Sequence, residues 1–275
     1  MNSASPKLRW RDISKRFGET SVLDGFDVSV AAGQSLVIIG GSGQGKSVAI
    51  RLALGLIGAD AGSVELDGED VSRFGARVRR EAFRRIGVLF QGAALFDSLT
   101  VWENVAFRLL NADGVAQGKA KAQALLALER VRLEENVADR YPAELSGGMQ
   151  KRVGLARAIV AEPEILFFDE PTTGLDPVTA RAINELIVDQ VKRLGCTAVS
   201  ITHDLSCAQT IGDEIAMLHA GRIVWRGSAQ ELFRTGNAHV EAFIDARPTG
   251  IRRQDTFLAP LTPPQTPFAA PSDRP

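Results

Sequence analysis

Short apolar runs rich in Val, Ile, Leu and Phe recur along the chain, and they do not alternate with polar positions. The runs occupy residues 36–39, 86–90, 165–168 and 198–201. A strand that is covered on both faces of a parallel sheet has such a near-continuous apolar sequence. Helical patterns separate these runs, at residues 47–56, 119–131, 146–161 and 177–194. Because strands alternate with helices, the sequence predicts an α/β domain around a parallel sheet.

Other parts of the chain have different patterns. Residues 7–14, 22–30 and 63–66 have strand-like sequences with turn residues nearby, at Gly18, Gly33 and Gly68. An antiparallel β-portion beside the α/β core is therefore expected. Residues from about 92 to 144 lack a convincing strand and predict a mostly helical insert. Near the end, residues 215–218 and 222–225 flank a predicted hairpin turn at 219–221.

The composition changes near residue 247. Seven of the twelve prolines fall in residues 248–275, and proline cannot donate to a regular hydrogen-bond ladder. We therefore expect a folded domain at residues 1–246 and an extended or disordered tail at 247–275. A docking arm is the alternative interpretation of this tail.

Bulk composition narrows the class of protein. The chain is 45% hydrophobic and 24% charged, as in ordinary globular proteins, and its net charge of −1 gives no footprint for nucleic acid. Cys196 and Cys207 lack a metal or redox spacing and predict reduced thiols in a cytosolic protein. No secretory signal is apparent, and no apolar run approaches the about 20 residues that span a bilayer. Any work at a membrane would then require another chain.

Residues 40–47 fit the pattern G-x-x-x-x-G-K-S, after an apolar run and before a helical pattern. In this context the glycines let main-chain N–H groups surround phosphates, and Lys46 reaches the β- and γ-phosphates. The Ser47 hydroxyl is expected to ligate Mg²⁺. The pattern therefore predicts a nucleoside triphosphate site.

A carboxylate pair, Asp169 and Glu170, follows the apolar run 165–168. Two carboxylates at the end of a buried strand are costly unless they have a task. The predicted tasks are Mg²⁺ binding for Asp169 and polarisation of the attacking water for Glu170. A helix-capping pair is the alternative.

Polar or glycine positions follow four of the apolar runs. Gly40, Gln91, Asp169 and His203 each lie at, or within two residues of, the end of a run. Because an open parallel sheet binds ligands at the carboxyl ends of its strands, we expect these residues at one edge. There Gln91 suits a contact to Mg²⁺ or water, and His203 suits a contact to the γ-phosphate.

Residues 145–149 read Leu-Ser-Gly-Gly-Met and open a helical pattern. Ser146 is suited to cap the helix, and Gly147 and Gly148 let a ligand approach the main chain. The free N–H groups and the dipole of such a helix start favour an anion. The chain therefore has a second predicted phosphate site.

Taken in order, these motifs resemble the nucleotide-binding subunit of ATP-binding cassette (ABC) transporters over about residues 7–246. Residues 40–47 match the Walker A motif, 165–170 the Walker B motif with its catalytic glutamate, and 145–149 the signature motif. Gln91 matches the Q-loop, residues 174–176 the D-loop, and His203 the switch histidine. The resemblance implies a RecA-like parallel-sheet core, an antiparallel β-subdomain and a helical subdomain at about residues 92–155.

The resemblance also implies the chemistry of the site. It implies an ATPase that uses ATP and Mg²⁺, with Glu170, His203 and Gln91 as catalytic residues and Ser47, Gln91 and Asp169 around the metal. Phe17 falls where the family usually places a tyrosine that stacks on adenine, although a core phenylalanine is the alternative. The residues implied to contact ATP are Phe17, Gly40, Gly41, Ser42, Gly43, Gln44, Gly45, Lys46, Ser47, Val48, Ser146, Gly147, Gly148 and Asp176.

An assembly is implied as well. In the family two copies hold two ATP molecules head to tail, so that Ser146 of one copy caps the phosphate bound by Lys46 of the other. Permease subunits span the inner membrane, and this chain would be peripheral on its cytoplasmic side, with no nucleic-acid partner. The Q-loop region normally contacts the permease, and residues 93–96 offer an apolar surface there. Interior packing is the alternative for these four residues.

One departure from the family pattern bears on the substrate. The fifth signature position is commonly glutamine, but here it is Met149. Methionine at this position, and residues 90–96, 200–204 and 221–225, resemble the MlaF-like ATPases of Mla/MCE phospholipid transport systems. That resemblance implies phospholipid transport between inner and outer membranes, with an MCE-domain partner and a STAS-domain regulator. An importer subunit for amino acids or other small solutes is the alternative. A non-transport ABC ATPase acting on DNA or ribosomes is disfavoured, because no long coiled-coil insertion or second cassette is present.

Overall fold

The strands of the protein form two sheets. A computed structural model describes residues 5–246, and the strand bounds below refer to that part of the chain. In chain order the strands are β1 (Leu8–Phe17), β2 (Thr20–Val30), β3 (Ser35–Ile39), β4 (Ala61–Leu66), β5 (Glu69–Asp70), β6 (Ile86–Leu89), β7 (Ile165–Asp169), β8 (Thr197–Thr202), β9 (Glu214–His219) and β10 (Arg222–Ser228).

The central sheet has the strand order β10-β9-β3-β8-β7-β6. Neighbouring strands from β9 to β6 pair in parallel, and β10 pairs antiparallel with β9. The four apolar runs all lie in this sheet, so the predicted parallel sheet is confirmed. The predicted hairpin is present too, because His219 pairs with Arg222 across Ala220 and Gly221, which both have positive φ (48° and 77°).

The antiparallel sheet has the order β2-β1-β4-β5 and confirms the β-portion expected in the first third of the chain. The helices of residues 5–246 are α1 (Lys46–Ala53), α2 (Ala76–Arg84), α3 (Val101–Asn111), α4 (Gln117–Arg130), α5 (Gly147–Ile159), α6 (Pro177–Leu194), α7 (Leu205–Ile211) and α8 (Ala238–Asp245). None of these helices combines the length and apolar content needed to cross a bilayer.

The central sheet separates two hydrophobic cores. Along β3, Leu36 and Ile38 pack into the core shared with α1 and the antiparallel sheet, whereas Val37 and Ile39 pack into the core shared with α3 to α7. Successive side chains of a strand point to opposite faces. Because both faces of β3 are covered, every one of its residues is buried, which explains the absence of alternation in its sequence.

Trp10 joins the antiparallel sheet to the first helix of the nucleotide-binding motif. Its buried indole packs edge-on against Phe26 and Phe167, with ring centroids 5.9 and 6.5 Å apart. Its Nε1 donates to the carbonyl oxygen of Ala49 in α1 at 2.9 Å. The polar atom of this large side chain is thereby satisfied inside the core.

Element boundaries differ from the sequence-based prediction in a few places. The helix predicted at residues 47–56 ends at Ala53, because Gly55 adopts a left-handed conformation at φ 62°. Helices α7 and α8 were not predicted, since seven or eight residues establish no clear period. Residues 92–144 contain α3, α4 and two 3-10 turns, as expected of a helical insert. The division into domains stays a prediction, and the proline-rich tail at 247–275 lies outside the described residues.

Gly87 allows α5 to lie directly on the edge strand β6. A Cβ atom at this position would lie 2.1 Å from the carbonyl oxygen of Ala158 and 2.8 Å from Leu166 Cδ2. The main chain of the helix cannot give way without moving the whole element. The spacing between α5 and the sheet is therefore fixed by the absence of a side chain.

We predict that Gly87→Ala destabilises the fold by about 1–3 kcal/mol, because overpacking forces the main chain apart. For a domain of this size that corresponds to a melting temperature lower by about 2–10 °C. Gly118→Ala is the matched control, because a Cβ there meets no atom within 4 Å. Thermal unfolding followed by fluorescence measures both variants. Equal melting temperatures would contradict the close approach.

Candidate functional site

A glycine-rich loop connects β3 to α1. At Gly45 the main chain has φ 101°, and a Cβ would lie 2.9 Å from the carbonyl oxygen of Val22. Only glycine satisfies both conditions without strain. Helix α1 starts directly after it, so its first N–H groups face the loop, which is the arrangement that binds anions.

Lys46 lies beneath the loop. The residue is buried, and its Nζ donates to the carbonyl oxygens of Gly40 (2.8 Å) and Gly41 (2.9 Å). The ammonium is also 4.0 Å from Glu170 Oε1. The side chain of Gln44 connects the loop to the turn between β9 and β10, because its Oε1 accepts a hydrogen bond from the Ala220 N–H at 2.7 Å.

A cavity of about 690 Å³ opens over this loop. Its lining comes from β1 and β2 of the antiparallel sheet, from the loop after β3 and the start of α1, and from the loops after β6, β7 and β8. Val22 was missed by sequence reasoning, because an apolar strand residue carries no chemical signal. The lining residues are Phe17, Val22, Ser42, Gly43, Gly45, Lys46, Ser47, Val48, Gln91, Glu170 and His203.

Phe17 is 48% exposed at the mouth of this cavity, so it is not a core phenylalanine. The Nζ of Lys15 lies 5.5 Å from the centre of its ring. An exposed aromatic face beside a phosphate loop offers a stacking surface for a flat base. This geometry favours the adenine-stacking interpretation over the alternative of core packing.

Ser47 and Asp169 face each other across the loop, with Oγ 3.5 Å from Oδ1. Burial and the neighbouring Glu170 raise the pKa of Asp169, and the Ser47 hydroxyl opposes that shift. The Ser47 hydroxyl and the Gln91 amide line the cavity, and the Asp169 carboxylate lies beside Ser47 without being part of the lining. These groups are the hard oxygen donors that Mg²⁺ prefers. The residues present therefore fit a magnesium ion, which would stabilise the ionised form of Asp169.

Glu170 occupies a strained position at the end of β7. Its φ of 48° is unusual for a residue with a side chain. Its Oε2 lies 2.7 Å from His203 Nδ1 and accepts from the Thr173 hydroxyl at 3.0 Å. The carboxylate is thus aimed into the cavity and held by two side chains, while His203 itself is largely exposed.

Lys151, on α5, was not predicted as a site residue. It is 5% exposed, and its Nζ donates to the main-chain carbonyl oxygens of Gln91 and Glu170. Burial lowers the pKa of Lys151, whereas the charges of Asp169 and Glu170 raise it. A sequence signal existed, because position 151 shares the buried stripe of α5 with Gly154, Leu155 and Ala158. A lysine on such a stripe requires buried polar partners.

The signature residues lie away from the cavity lining. Ser146 caps α5, with its Oγ accepting from the Met149 N–H at 3.3 Å. A Cβ at Gly148 would lie 2.7 Å from Thr179 Cγ2, so the start of α5 packs beside the start of α6. There Asp176 caps α6 by accepting from the N–H groups of Val178 and Thr179. Within residues 5–246 the second predicted phosphate site is therefore separate from the first.

The fold and the cavity define a class, an α/β nucleotide-binding domain with a phosphate loop at the carboxyl edge of its sheet. Comparison with known families identifies the family within this class. The family model described as ABC transporter matches residues 23–173. The chain belongs to the ABC transporter family, and its fold is the ABC nucleotide-binding domain.

Named relatives come from methionine import systems. The methionine import ATP-binding protein MetN of Rhizobium johnstonii is 41% identical over 233 residues, which cover 85% of this chain and 64% of the relative. MetN of Caulobacter vibrioides is 42% identical, over 82% of this chain and 68% of the relative. The chain thus spans about two thirds of the length of these relatives. They carry no support for the MlaF-like assignment or for MCE and STAS partners.

Solved structures agree with the fold. A dimeric, post-hydrolysis state of the ATP-binding cassette MJ0796 bound to ADP and Pi has a TM-score of 0.73 and 29% identity, covering 81% of this chain and 98% of that one. The protein cbiO1 of Clostridium perfringens, part of the transporter complex cbiONQ, has a TM-score of 0.75 and 27% identity, covering 88% and 96%. The predicted fold class is confirmed, and the enzyme class is that of the ABC ATPase domains.

We predict that Lys46→Met weakens ATP binding by about tenfold or more, the equivalent of one lost charge-assisted hydrogen bond. Lys119→Met, at an exposed position of α4, is the control. Fluorescence titration with an ATP analogue at constant Mg²⁺ gives both dissociation constants. An unchanged constant for Lys46→Met would remove this lysine from the phosphate site.

Proposed function

We propose that this chain is the ATP-hydrolysing subunit of an ABC transporter. The observation that carries the proposal is the cavity in which Lys46, Ser47, Gln91, Glu170 and His203 meet at one edge of the sheet. Main-chain N–H groups of the loop and Lys46 bind the phosphates of ATP. Ser47, Asp169 and Gln91 would hold a Mg²⁺ ion, which would supply positive charge against the charge that develops on the phosphates.

Glu170 is proposed as the general base. Its carboxylate accepts a proton from the attacking water, and its two hydrogen-bonding neighbours, Thr173 and His203, fix its orientation. The strained main chain of Glu170, at φ 48°, persists only because surrounding contacts determine it. His203, exposed at the cavity mouth, contacts the γ-phosphate and senses its release.

The working unit is proposed to be a homodimer. The start of α5 at Ser146 and the start of α6 at Asp176 lie together but outside the cavity, so each would complete the site of a second copy. The dimeric MJ0796 cassette bound to ADP and Pi supports this arrangement. Phosphates would then lie between the loop of one copy and the Ser146 helix of the other.

Permease subunits are the proposed membrane partners, with this chain peripheral on the cytoplasmic side of the inner membrane. Ala94 and Phe96 are exposed, and Phe96 packs on Phe107 with ring centroids 4.4 Å apart. Ala93 is buried and Leu95 half-buried, so the apolar surface expected at 93–96 consists of two side chains rather than four. This pair, with Phe107, is the proposed contact.

For the substrate, a small-solute importer is favoured over phospholipid transport. The methionine import relatives support an amino acid such as methionine. Phospholipid remains a second candidate on the specific observation of Met149 in the signature motif. Met149 is half-buried and packs against the core, which gives the residue a structural task in either system.

We predict that Glu170→Gln binds ATP with unaltered affinity but hydrolyses it slower by about 10²–10⁴-fold, because the amide cannot accept the proton. Phosphate release measures the rate, and titration with an ATP analogue measures the affinity. Glu162→Gln, at an exposed site, is the control that should retain the full rate. Near-normal turnover of Glu170→Gln would remove this residue from the base role.

We predict that Ser146→Arg reduces turnover to background while each copy still binds ATP, because the bulky cation fills the phosphate site of the partner. Ser72→Arg, at an exposed serine in the turn after β5, is the control. Size-exclusion chromatography in the Glu170→Gln background reports whether ATP still brings two copies together. Full activity of Ser146→Arg would argue against the head-to-tail dimer.

The substrate class can be tested on the intact transporter. We expect a tagged chain, isolated from its own membranes, to retain a permease and a solute-binding protein, and deletion of its gene to reduce methionine uptake. Recovery of an MCE-domain protein and bound phospholipid, with uptake unaltered, would instead establish the second candidate.

A further inference from the structure

We propose that Lys151 is a positioning residue that ties the Q-loop and the proposed general base to the helix carrying the signature motif. The inference rests on the proposed ATPase function and extends it to a residue outside the motifs that define the site. Lys151 neither lines the cavity nor belongs to the predicted nucleotide contacts. It acts through the main chain of two residues that do line the cavity, Gln91 and Glu170.

The geometry joins three separate segments of the chain. Lys151 projects from the first turns of α5, whereas Gln91 follows β6 and Glu170 follows β7. One ammonium group donates to the carbonyl oxygens of both residues. A hydrogen bond to a carbonyl oxygen restrains the orientation of that peptide group. These two hydrogen bonds therefore restrain the main chain from which the side chains of Gln91 and Glu170 extend.

Burial of the Lys151 ammonium group has a free-energy cost. Lys151 is 5% exposed, and an unpaired ammonium in that environment would be strongly destabilised. The carboxylates of Asp169 and Glu170 are close enough to favour its charge. An apolar side chain of similar length would fill the same volume without that cost. The presence of a lysine at this position is therefore better explained by its hydrogen bonds to Gln91 and Glu170 than by a contribution to the stability of the fold.

The conformation of Glu170 supports the same conclusion. A non-glycine residue at φ 48° persists only where surrounding contacts determine it. On one side its N–H donates to the Ile201 carbonyl at 3.0 Å. On the other side its carbonyl accepts from Lys151 at 3.3 Å. The strained residue is thus held at its main-chain N–H group and at its carbonyl oxygen.

A second cation on α5 binds the same loop. Arg157 donates to the carbonyl oxygens of Ala93 and Ala94, two residues with φ of 58° and 48°. Between the two cations, Gly154 lets the helix approach closely, since a Cβ there would lie 2.8 Å from Leu89 Cδ1. The main chain of the Q-loop is therefore hydrogen-bonded to α5 through both cations. Of the two, Lys151 also donates to the carbonyl oxygen of Glu170.

The test compares Lys151→Met, which keeps length but no donor, with Lys151→Gln, which keeps an amide donor. The purified transporter, or the chain at dimer-forming concentration, provides kcat and KM for ATP. The dissociation constant of ATP is measured in the Glu170→Gln background, and thermal melting is measured for every variant. Lys192→Met, at an exposed position of α6, is the matched control.

We expect Lys151→Met to lower kcat by about tenfold or more while KM and the ATP dissociation constant change by less than about threefold. Lys151→Gln should recover a substantial part of the lost rate, and Lys192→Met should match the wild type. If the Met variant does not fold, the Gln variant must show a smaller loss that is confined to kcat, with KM and the ATP dissociation constant within about threefold of the wild type. A wild-type kcat for the Gln variant would then overturn the proposal.

The proposal is overturned if Lys151→Met turns over at the wild-type rate, or if kcat, ATP affinity and melting temperature fall together in both variants. The latter result would assign Lys151 a purely structural role. Failure of the underlying function looks different, because the wild type and Glu170→Gln would then hydrolyse ATP equally slowly.

Discussion

Complete burial of the parallel strands is the constraint on which the rest of this molecule depends. Strands β3, β7 and β8 are covered by helices on one face and by α1 with the antiparallel sheet on the other. Polar side chains can therefore reach solvent only where these strands end. The phosphate loop, the carboxylates and His203 all lie at those ends, so the position of the site follows from the burial of the sheet.

Much of this could be predicted from the sequence, because burial on both faces leaves an uninterrupted apolar run. The ends of those runs are enough to predict that Gln91, Asp169 and His203 lie at one edge of the sheet. The grouping of most predicted residues around one cavity agrees with that expectation. Phe17 could not be settled from the sequence, since a phenylalanine has the same signature in a core and at a cavity mouth. Its exposure excludes the core position, and the stacking role stays a prediction.

The sequence pattern places Lys151 on the buried stripe of α5, but it does not identify the groups that the lysine contacts. Its role depends on two main-chain carbonyl groups, and carbonyl groups leave no trace in the residue types at positions 91 and 170. Prediction of the substrate from single residues is limited in a similar way. Met149 can be explained by its packing against the core, so its identity does not by itself distinguish phospholipid from methionine. The comparison with methionine import proteins favours a small solute over phospholipid, because it rests on 233 aligned residues rather than on one.

The indole of Trp10 has a mechanical consequence. It links β1, which ends at Phe17, to α1, which begins at Lys46. The proposed surface for the base, at the end of β1, and the phosphate loop before α1 are therefore joined through one buried side chain. Loss of the indole would disturb both surfaces at once, and Trp10 is not itself among the residues that line the cavity.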